Sequence, residues 1–315
     1  MNLNNYIQTL KSQLEENILD IHLEKDYMLS NFLSNWVKEE TPHLDKLIFK
    51  GGTLLTKNYL KYHRISEDLD FSHKDSNLIR EIPSKSQRET QIKSRIVNIL
   101  EEVEKIAKLS NLEFVNNRNN KKYILQRNSR SIYILNLFYI SKFTKVESSI
   151  KLEISFVENL IHKYQIQEIN NIVDIKVNNL EIFTKLTNYN LKKPILKIYS
   201  IDEVILEKLR ATITRKEFKP RDVFDLYMIN KQKSIFTQDK KYLFNKLNAS
   251  PFKFEDIIQN IENYLNLKQE INFEEVYDLS LIEINKIDFL EFDLKLKKYL
   301  NEIGTEFLQE LNRIN

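Results

Sequence analysis

Asp68 and Asp70 are the residues of this sequence whose types and spacing most clearly suggest chemistry. They occupy alternate positions of a short apolar segment, Asp68-Leu69-Asp70-Phe71. Residues two apart in a strand point to the same face, which predicts that the two carboxylates lie side by side. Neighbouring carboxylates repel each other without a cation, whereas a pair of magnesium ions would satisfy both and could also hold a triphosphate. The alternative is that Asp68 caps a turn and Asp70 faces solvent.

A glycine pair precedes the two aspartates. The chain has only three glycines, and Gly51 and Gly52 are adjacent. Glycine permits positive φ and a close approach to the backbone, so a turn between a strand and a helix here is predicted to cradle phosphates. Thr53 belongs to the same turn, where its alternative role is to cap the helix. Neither Gly-Lys-Ser/Thr nor Gly-x-Gly-x-x-Gly is formed, which disfavours those two nucleotide-binding folds.

Glu153 is the candidate for a third carboxylate of the same site. Between Ile150 and Phe156, apolar residues alternate with Lys151, Glu153 and Ser155, so Glu153 lies on the polar face of a predicted strand. From there it could ligate a second metal ion or accept a proton from an attacking hydroxyl. The alternative is a cross-strand pair with a lysine.

A basic helical face further along the chain could neutralise phosphates. In a helix, Lys208, Thr212 and Arg215 share one side, while an apolar set lies on another. The alternative is an ordinary solvated basic face. Asp222 and Asp225 follow, three residues apart on the next predicted helix.

The elements that must position these residues follow from hydrophobic periodicity. Apolar spacings of three and four predict helices over 3–40, 54–62 and 88–109. Runs of β-branched and aromatic residues predict strands over 45–50, 69–71, 112–115, 123–126, 131–141 and 149–156. Residues 170–193 are predicted to form a strand and loops, and residues from 200 onward are predicted to be helical. These patterns predict an α+β protein with a mixed sheet flanked by helices in residues 1–199 and a helical domain in residues 200–315.

Composition narrows the class of protein. Cysteine is absent, which excludes disulfides, thiolate metal sites and cysteine nucleophiles. No apolar run approaches the ~20 residues of a membrane helix, and the first residues lack a signal-peptide pattern, so a cytoplasmic protein without membrane contact is expected. The formal charge of +3 is too near neutral to indicate nucleic acid by itself. The five histidines lack metal-ligand spacing, and His63 and His73 are expected at the surface.

Two blocks of sequence resemble the AbiEii/AbiGii-type toxins, a branch of the DNA polymerase beta-like nucleotidyltransferase superfamily. The first is Gly-Gly-Thr at 51–53 followed by Arg-Ile-Ser-Glu-Asp-Leu-Asp at 64–70. The second comprises Glu-Lys-Leu-Arg-Ala-Thr at 207–212, Arg215 and Lys-Pro-Arg-Asp-Val-Phe-Asp-Leu at 219–226. The resemblance implies a nucleotidyltransferase-like sheet, two magnesium ions held by Asp68, Asp70 and a third carboxylate, and a helical domain that completes the active site.

The resemblance also implies roles for single residues. Lys208 would contact the nucleotide phosphates together with Arg215, and Arg64 and Ser66 would help to bind the nucleotide. Asp222, in preference to Asp225, would belong to the active site. Arg210 lies off the basic face and is expected to be nearly silent on substitution.

The function implied is transfer of a nucleotide from an NTP to an acceptor hydroxyl, by a toxin of a bacterial toxin–antitoxin or abortive-infection system. The resemblance suggests an RNA end as the acceptor, such as the 3′ end of a tRNA, and a cognate antitoxin protein or RNA as partner. Two alternatives remain open at this point. The acceptor could be a protein hydroxyl, as in AMPylation, or the chain could be a non-catalytic module that binds nucleotide, RNA or antitoxin.

Overall fold

A computed structural model describes residues 2–14, 18–217, 219–249, 254–266 and 271–314. The chain forms two compact units. The first comprises Met1–Val157 and Tyr164–Ile198, and the second comprises Glu158–Lys163 and Tyr199–Asn315. A short segment, residues 158–163, thus leaves the first unit to join the second.

The first unit is built on a seven-stranded sheet with the spatial order β3-β4-β5-β2-β1-β7-β6. The strands are β1 (Leu47–Lys50), β2 (Asp68–His73), β3 (Ile124–Arg127), β4 (Ile132–Ile140), β5 (Glu147–Ser155), β6 (Gln165–Glu168) and β7 (Ile195–Ile198). The sheet is mixed, because β2 runs parallel to β5 and β1 parallel to β7, while the remaining neighbours are antiparallel. The central strands match the predicted ones closely. Of the predicted strand 112–115, only a single bridge between Glu113 and Phe138 forms.

Helices cover the sheet of the first unit. They are α1 (Leu3–Lys11), α2 (Asp20–Trp36), α3 (Gly51–Leu54), α4 (Ser76–Arg80), α5 (Lys85–Leu109), α6 (Ile172–Lys176) and α7 (Leu180–Thr187). The predicted helix over 3–40 is interrupted, since α1 ends at Lys11 and α2 begins at Asp20; residues 15–17 of that prediction lie outside the described residues. Helix α5 is capped by Ser84, whose side chain accepts a hydrogen bond from the backbone of Gln87.

The prediction of a strand and loops over 170–193 is wrong, because this segment contains α6 and α7. Each of these helices is capped at its N-terminus by an asparagine. Asn171 forms a capping box with Asp174, and the Asn179 side chain accepts a hydrogen bond from the backbone of Ile182. Helices of five and eight residues are too short for their periodicity to stand out from a strand pattern.

The second unit is helical, as predicted. Its helices are α8 (Ile201–Thr214), α9 (Pro220–Asn230), α10 (Lys240–Asn248), α11 (Phe254–Asn266), α12 (Phe273–Leu279) and α13 (Lys286–Ile314). Glu203 of α8 binds residues 158–163 to this unit, since its buried carboxylate accepts backbone hydrogen bonds from Ile161 and His162. Lys246 of α10 adds an ion pair to Glu203 and a hydrogen bond to the carbonyl of Asn159.

The architecture confirms the predicted α+β class, with a mixed sheet flanked by helices and a helical C-terminal region. Among the residues that the structure describes, no helix is long and apolar enough to cross a membrane.

Candidate active site

Strands β2 and β5 bring the predicted carboxylates to one face of the sheet. Their parallel register pairs Asp68 with Lys151 and Asp70 with Glu153. Register partners on neighbouring strands point to the same side, and so do residues two apart on one strand. Asp68, Asp70 and Glu153 therefore share a face, and we call these three residues the carboxylate cluster.

Asp70 lies at the centre of this cluster and has an unusual pKa. Burial, the nearby Glu153 carboxylate and, more weakly, Asp68 disfavour its charged form, and together they raise the pKa of Asp70 to about 6. Lys50 and Lys151 act in the opposite direction. A carboxyl group under this repulsion gains from a nearby cation, because a cation stabilises its charged form.

Two lysines face the carboxylate cluster. Lys50 is the register partner of Asp70 on β1 and is 9% exposed. Lys151 Nζ lies 3.0 Å from Asp68 Oδ2. A cross-strand pair with a lysine was the alternative considered for Glu153. Among the contacts that the structure gives, it is Asp68 that forms such a pair.

The donor set of the carboxylate cluster suits a magnesium ion chemically, because magnesium prefers carboxylate oxygens. Within the described ranges, no group of three or more His, Asp or Glu side chains is already arranged around a single ion position. One reason is visible at Asp68, whose carboxylate is engaged by Lys151. A magnesium ion bound by these carboxylates would therefore require Asp68 to exchange its partner.

Gly51 and Gly52 are required by close packing against the site. Gly51 has φ of +80°, and a Cβ there would collide with the carboxylate of Asp70 and lie 2.9 Å from its Cβ. A Cβ on Gly52 would lie 2.7 Å from Arg64 Nη2 and 3.1 Å from Ser66 Oγ. Because neither glycine has a side chain, Asp70 and Arg64 can pack directly against the backbone of the turn. This contact between protein groups was missed by the sequence argument, which assigned the same space to a triphosphate.

Thr53 connects the turn to the strand that carries the aspartates. Its side chain is buried, its hydroxyl donates to the carbonyl of Asp68, and Oγ1 lies 2.9 Å from Ser66 Oγ. The alternative that Thr53 caps the helix is wrong, because α3 starts after Lys50 and has no side-chain cap. Arg64 is also buried and donates from Nη1 to the carbonyl of Ile65 at 2.8 Å.

The helix that follows the glycine pair contains a residue that sequence reasoning missed. Helix α3 continues as a π-helical turn, Leu55–Tyr59, within the region predicted as helix 54–62. Lys57 in this turn is fully buried, and its Nζ lies 2.8 Å from Asp26 Oδ1 of α2 and 2.6 Å from the Tyr62 hydroxyl. The sequence did offer one sign of this buried pair. Asp26 is an acidic residue at helical spacing from Leu23, Ser30 and Leu33, which lie on the buried side of α2.

The second block of predicted residues lies in the second unit, where its charged side chains form one cluster of ion pairs. Lys208 Nζ lies 2.8 Å from Asp222 Oδ1 and 2.6 Å from Asp225 Oδ2, and Arg215 pairs with Asp222. Both aspartate side chains are almost fully buried. The expectation of a basic face left free for phosphates is therefore wrong for this structure, since aspartates already engage both cations. Thr212 donates its hydroxyl to the carbonyl of Lys208.

Three further expectations are wrong. Arg210 is 7% exposed, and its guanidinium lies 2.8 Å from Glu207 and 3.9 Å from Glu158, so it is not a silent position. His63 and His73 are buried, whereas both were expected at the surface.

The sheet, with its carboxylate cluster beside a glycine turn, defines the class of protein as a nucleotidyltransferase. The family model described as "Nucleotidyl transferase AbiEii toxin, Type IV TA system" matches residues 37–310. The chain belongs to this family of toxin nucleotidyltransferases, which confirms the predicted resemblance and the predicted enzyme class.

The fold is similar to that of a solved nucleotidyltransferase toxin. The nucleotidyltransferase toxin MenT4 (Rv2826c) of Mycobacterium tuberculosis H37Rv is 16% identical, with a TM-score of 0.52 over 90% of this chain and 85% of that chain. JHP933 of Helicobacter pylori is 17% identical, with a TM-score of 0.42 over 95% of this chain and 98% of that chain. A search of curated proteins finds no match.

Proposed function

We propose that this enzyme transfers a nucleotide from an NTP to the 3′ end of an RNA, in particular a tRNA, and that this reaction requires magnesium. The observation that carries the proposal is the register of β2 and β5, which places three carboxylates on one face beside the glycine turn. NTP and tRNA are cytoplasmic, and we propose the same location for the enzyme. As a toxin, it would have a cognate antitoxin, protein or RNA, as partner.

In the proposed reaction, an acceptor hydroxyl oxygen attacks the α-phosphorus of the NTP. A phosphorus–oxygen bond forms to the acceptor, the bond between the α-phosphorus and the bridging oxygen breaks, and pyrophosphate leaves with that electron pair. Asp68, Asp70 and Glu153 would hold magnesium, which supplies charge stabilisation for the phosphates. Alternatively, Glu153 would accept the proton of the acceptor hydroxyl.

Other residues of the first unit would bind the nucleotide. Backbone N–H groups of Gly51, Gly52 and Thr53 are candidates for phosphate contacts. Arg64 lies against Gly52 with Ser66, and its guanidinium suits a phosphate oxygen. The roles of Lys208, Arg215 and Asp222 toward the nucleotide stay predictions that substitution can test.

Incubation with labelled NTP, magnesium and total RNA tests the proposal directly. We expect label in RNA with the wild-type enzyme, and none with Asp70→Asn or after chelation of magnesium. Asp278→Asn, which changes an exposed aspartate of α12, is the matched control and should retain incorporation. Label in protein would instead support AMPylation, and a folded wild type that labels nothing would support a non-catalytic binding module.

A further inference from the structure

Lys151 lies beside the carboxylate cluster, and no step of the proposed reaction uses it. It stands opposite Asp68 in the register of β2 and β5, two residues before Glu153 on the same face of β5. Its Nζ lies 3.0 Å from Asp68 Oδ2, so its ammonium group is in direct contact with a proposed metal ligand.

Lys151 is the more exposed of the two lysines beside the carboxylate cluster. About a third of its side chain, 35%, is exposed, so the ammonium group has solvent beside it into which it can move. Lys50 on the other side of Asp70 is buried and lacks that freedom.

We propose that Lys151 is a resident counterion, which occupies the cation position beside Asp68 until a divalent metal displaces it. The proposal rests on the metal site of the proposed function and adds a residue that opposes metal binding. An ammonium on a flexible four-carbon stem can leave without any change in the strand. A metal ion that binds here must break the Lys151–Asp68 pair, and it then lies near the positive charge of Lys151. Lys151 therefore weakens binding of the metal to the nucleotide-free enzyme.

Titration of the full-length, nucleotide-free enzyme with Mn²⁺, followed by the electron paramagnetic resonance signal of free Mn²⁺, tests this role. Manganese suits the same carboxylate ligands as magnesium. Lys151→Met removes the charge but keeps an unbranched stem. We expect Mn²⁺ to bind roughly tenfold more tightly to this variant, because one close like charge is lost at a partly exposed site. Lys151→Arg keeps the charge and should bind Mn²⁺ like the wild type.

Lys122→Met is the matched control. Lys122 also pairs with a carboxylate, at 2.8 Å from Glu147, but both partners are largely exposed and neither belongs to the carboxylate cluster. This variant should leave Mn²⁺ affinity unchanged.

Thermal unfolding gives a second readout that does not depend on turnover. Without metal, Lys151→Met leaves repelling carboxylates with one cation fewer, so its Tm should fall below that of the wild type. Added magnesium should raise its Tm by more than it raises the wild-type Tm, because stabilisation of the folded state grows with the logarithm of ligand concentration over Kd. If Lys151→Met fails to fold without metal, recovery of the folded protein on adding magnesium supports the proposal, and Lys151→Gln repeats the titration.

The outcomes separate this inference from the proposed function. Equal or weaker Mn²⁺ binding by Lys151→Met, with clear binding by the wild type, overturns the counterion role and leaves the metal site standing. Absence of Mn²⁺ binding by the wild type and by both Lys151→Met and Lys151→Gln overturns the counterion role and the metal site together.

Discussion

Asp70 of β2 and Glu153 of β5 are direct register partners on parallel strands, and this pairing brings two acidic side chains together on one face of the sheet. Burial and the Glu153 carboxylate raise the pKa of Asp70 to about 6, which shows that the pair is held against its own repulsion. Shifted pKa values of this kind cluster at functional sites, so the carboxylate pair beside a glycine turn is a candidate for one.

The first prediction concerns this pair. Asp70→Asn and Glu153→Gln should each lower nucleotide transfer by about a hundredfold or more, in the range typical for loss of one interaction with the transition state. The same variants should unfold at a higher temperature than the metal-free wild type, because each removes one of the repelling carboxylates. Turnover and thermal melts measure the two effects. Glu147→Gln, at the exposed start of β5, should change neither.

The second prediction concerns the glycine turn. Gly51→Ala should lower both stability and turnover, since the new Cβ meets the Asp70 carboxylate and the backbone has positive φ, which alone costs about 1–2 kcal/mol. Gly52→Ala should lower stability less, because the group displaced is the end of the Arg64 side chain. Its main effect should be a higher KM for NTP. Denaturant unfolding and steady-state kinetics distinguish the two glycines, and identical profiles would contradict this assignment.

The third prediction concerns the buried pair of Lys57 and Asp26. Lys57→Met leaves the Asp26 carboxylate buried without its lysine partner, and we expect it to lower the free energy of unfolding by about 3–5 kcal/mol. The double variant Asp26→Leu/Lys57→Met removes both charges and should recover much of that loss. A double-mutant cycle by urea unfolding measures the coupling. Additive losses in the double variant would show that the pair contributes no net interaction.

The fourth prediction concerns pH and His73. Burial lowers the pKa of His73 to about 4, and its Nδ1 accepts a hydrogen bond from the backbone N–H of Asp75 at 3.1 Å. The unfolded chain binds the proton near pH 6.5 and the folded chain only near pH 4, so stability is full above pH 6.5 and falls as the pH drops toward 4. The His73 contribution to this loss is ~3 kcal/mol. His73→Gln should flatten the stability profile between pH 6.5 and 4, as measured by urea unfolding.

Local patterns predicted the parts of this site that lie within single elements. Alternation identified the shared face of Asp68 and Asp70 and placed Glu153 on the polar face of its own strand, and apolar periodicity identified the long helices α2 and α5. The pairing of β2 with β5 could not be predicted, because register depends on strands about 80 residues apart, and so Lys151 beside Asp68 was missed. Burial of Lys57 and Arg210 was missed for the same reason, since their acidic partners are supplied by tertiary packing.

The last prediction concerns Lys208, for which a structural and a catalytic role must be separated. Lys208→Met should lower turnover if the ammonium stabilises charge on the nucleotide phosphates, by about a hundredfold. The same change leaves Asp225 and Asp222 without the lysine that now lies within 2.8 Å of both, so it should also destabilise the second unit. Loss of activity or toxicity alone would therefore not assign the role.

The double variant Lys208→Met/Asp225→Asn separates the two roles. Asparagine removes the buried charge of Asp225, which loses its lysine in Lys208→Met, so thermal stability should return toward that of the wild type. If Lys208 acts on the nucleotide, turnover and toxicity should stay low in this stable double variant. If both return with stability, Lys208 serves only to hold Asp222 and Asp225 in place. Lys241→Ala on the exposed side of α10 is the control and should behave as the wild type. Arg210→Ala is unsuitable as a control, because Arg210 is itself buried against Glu207.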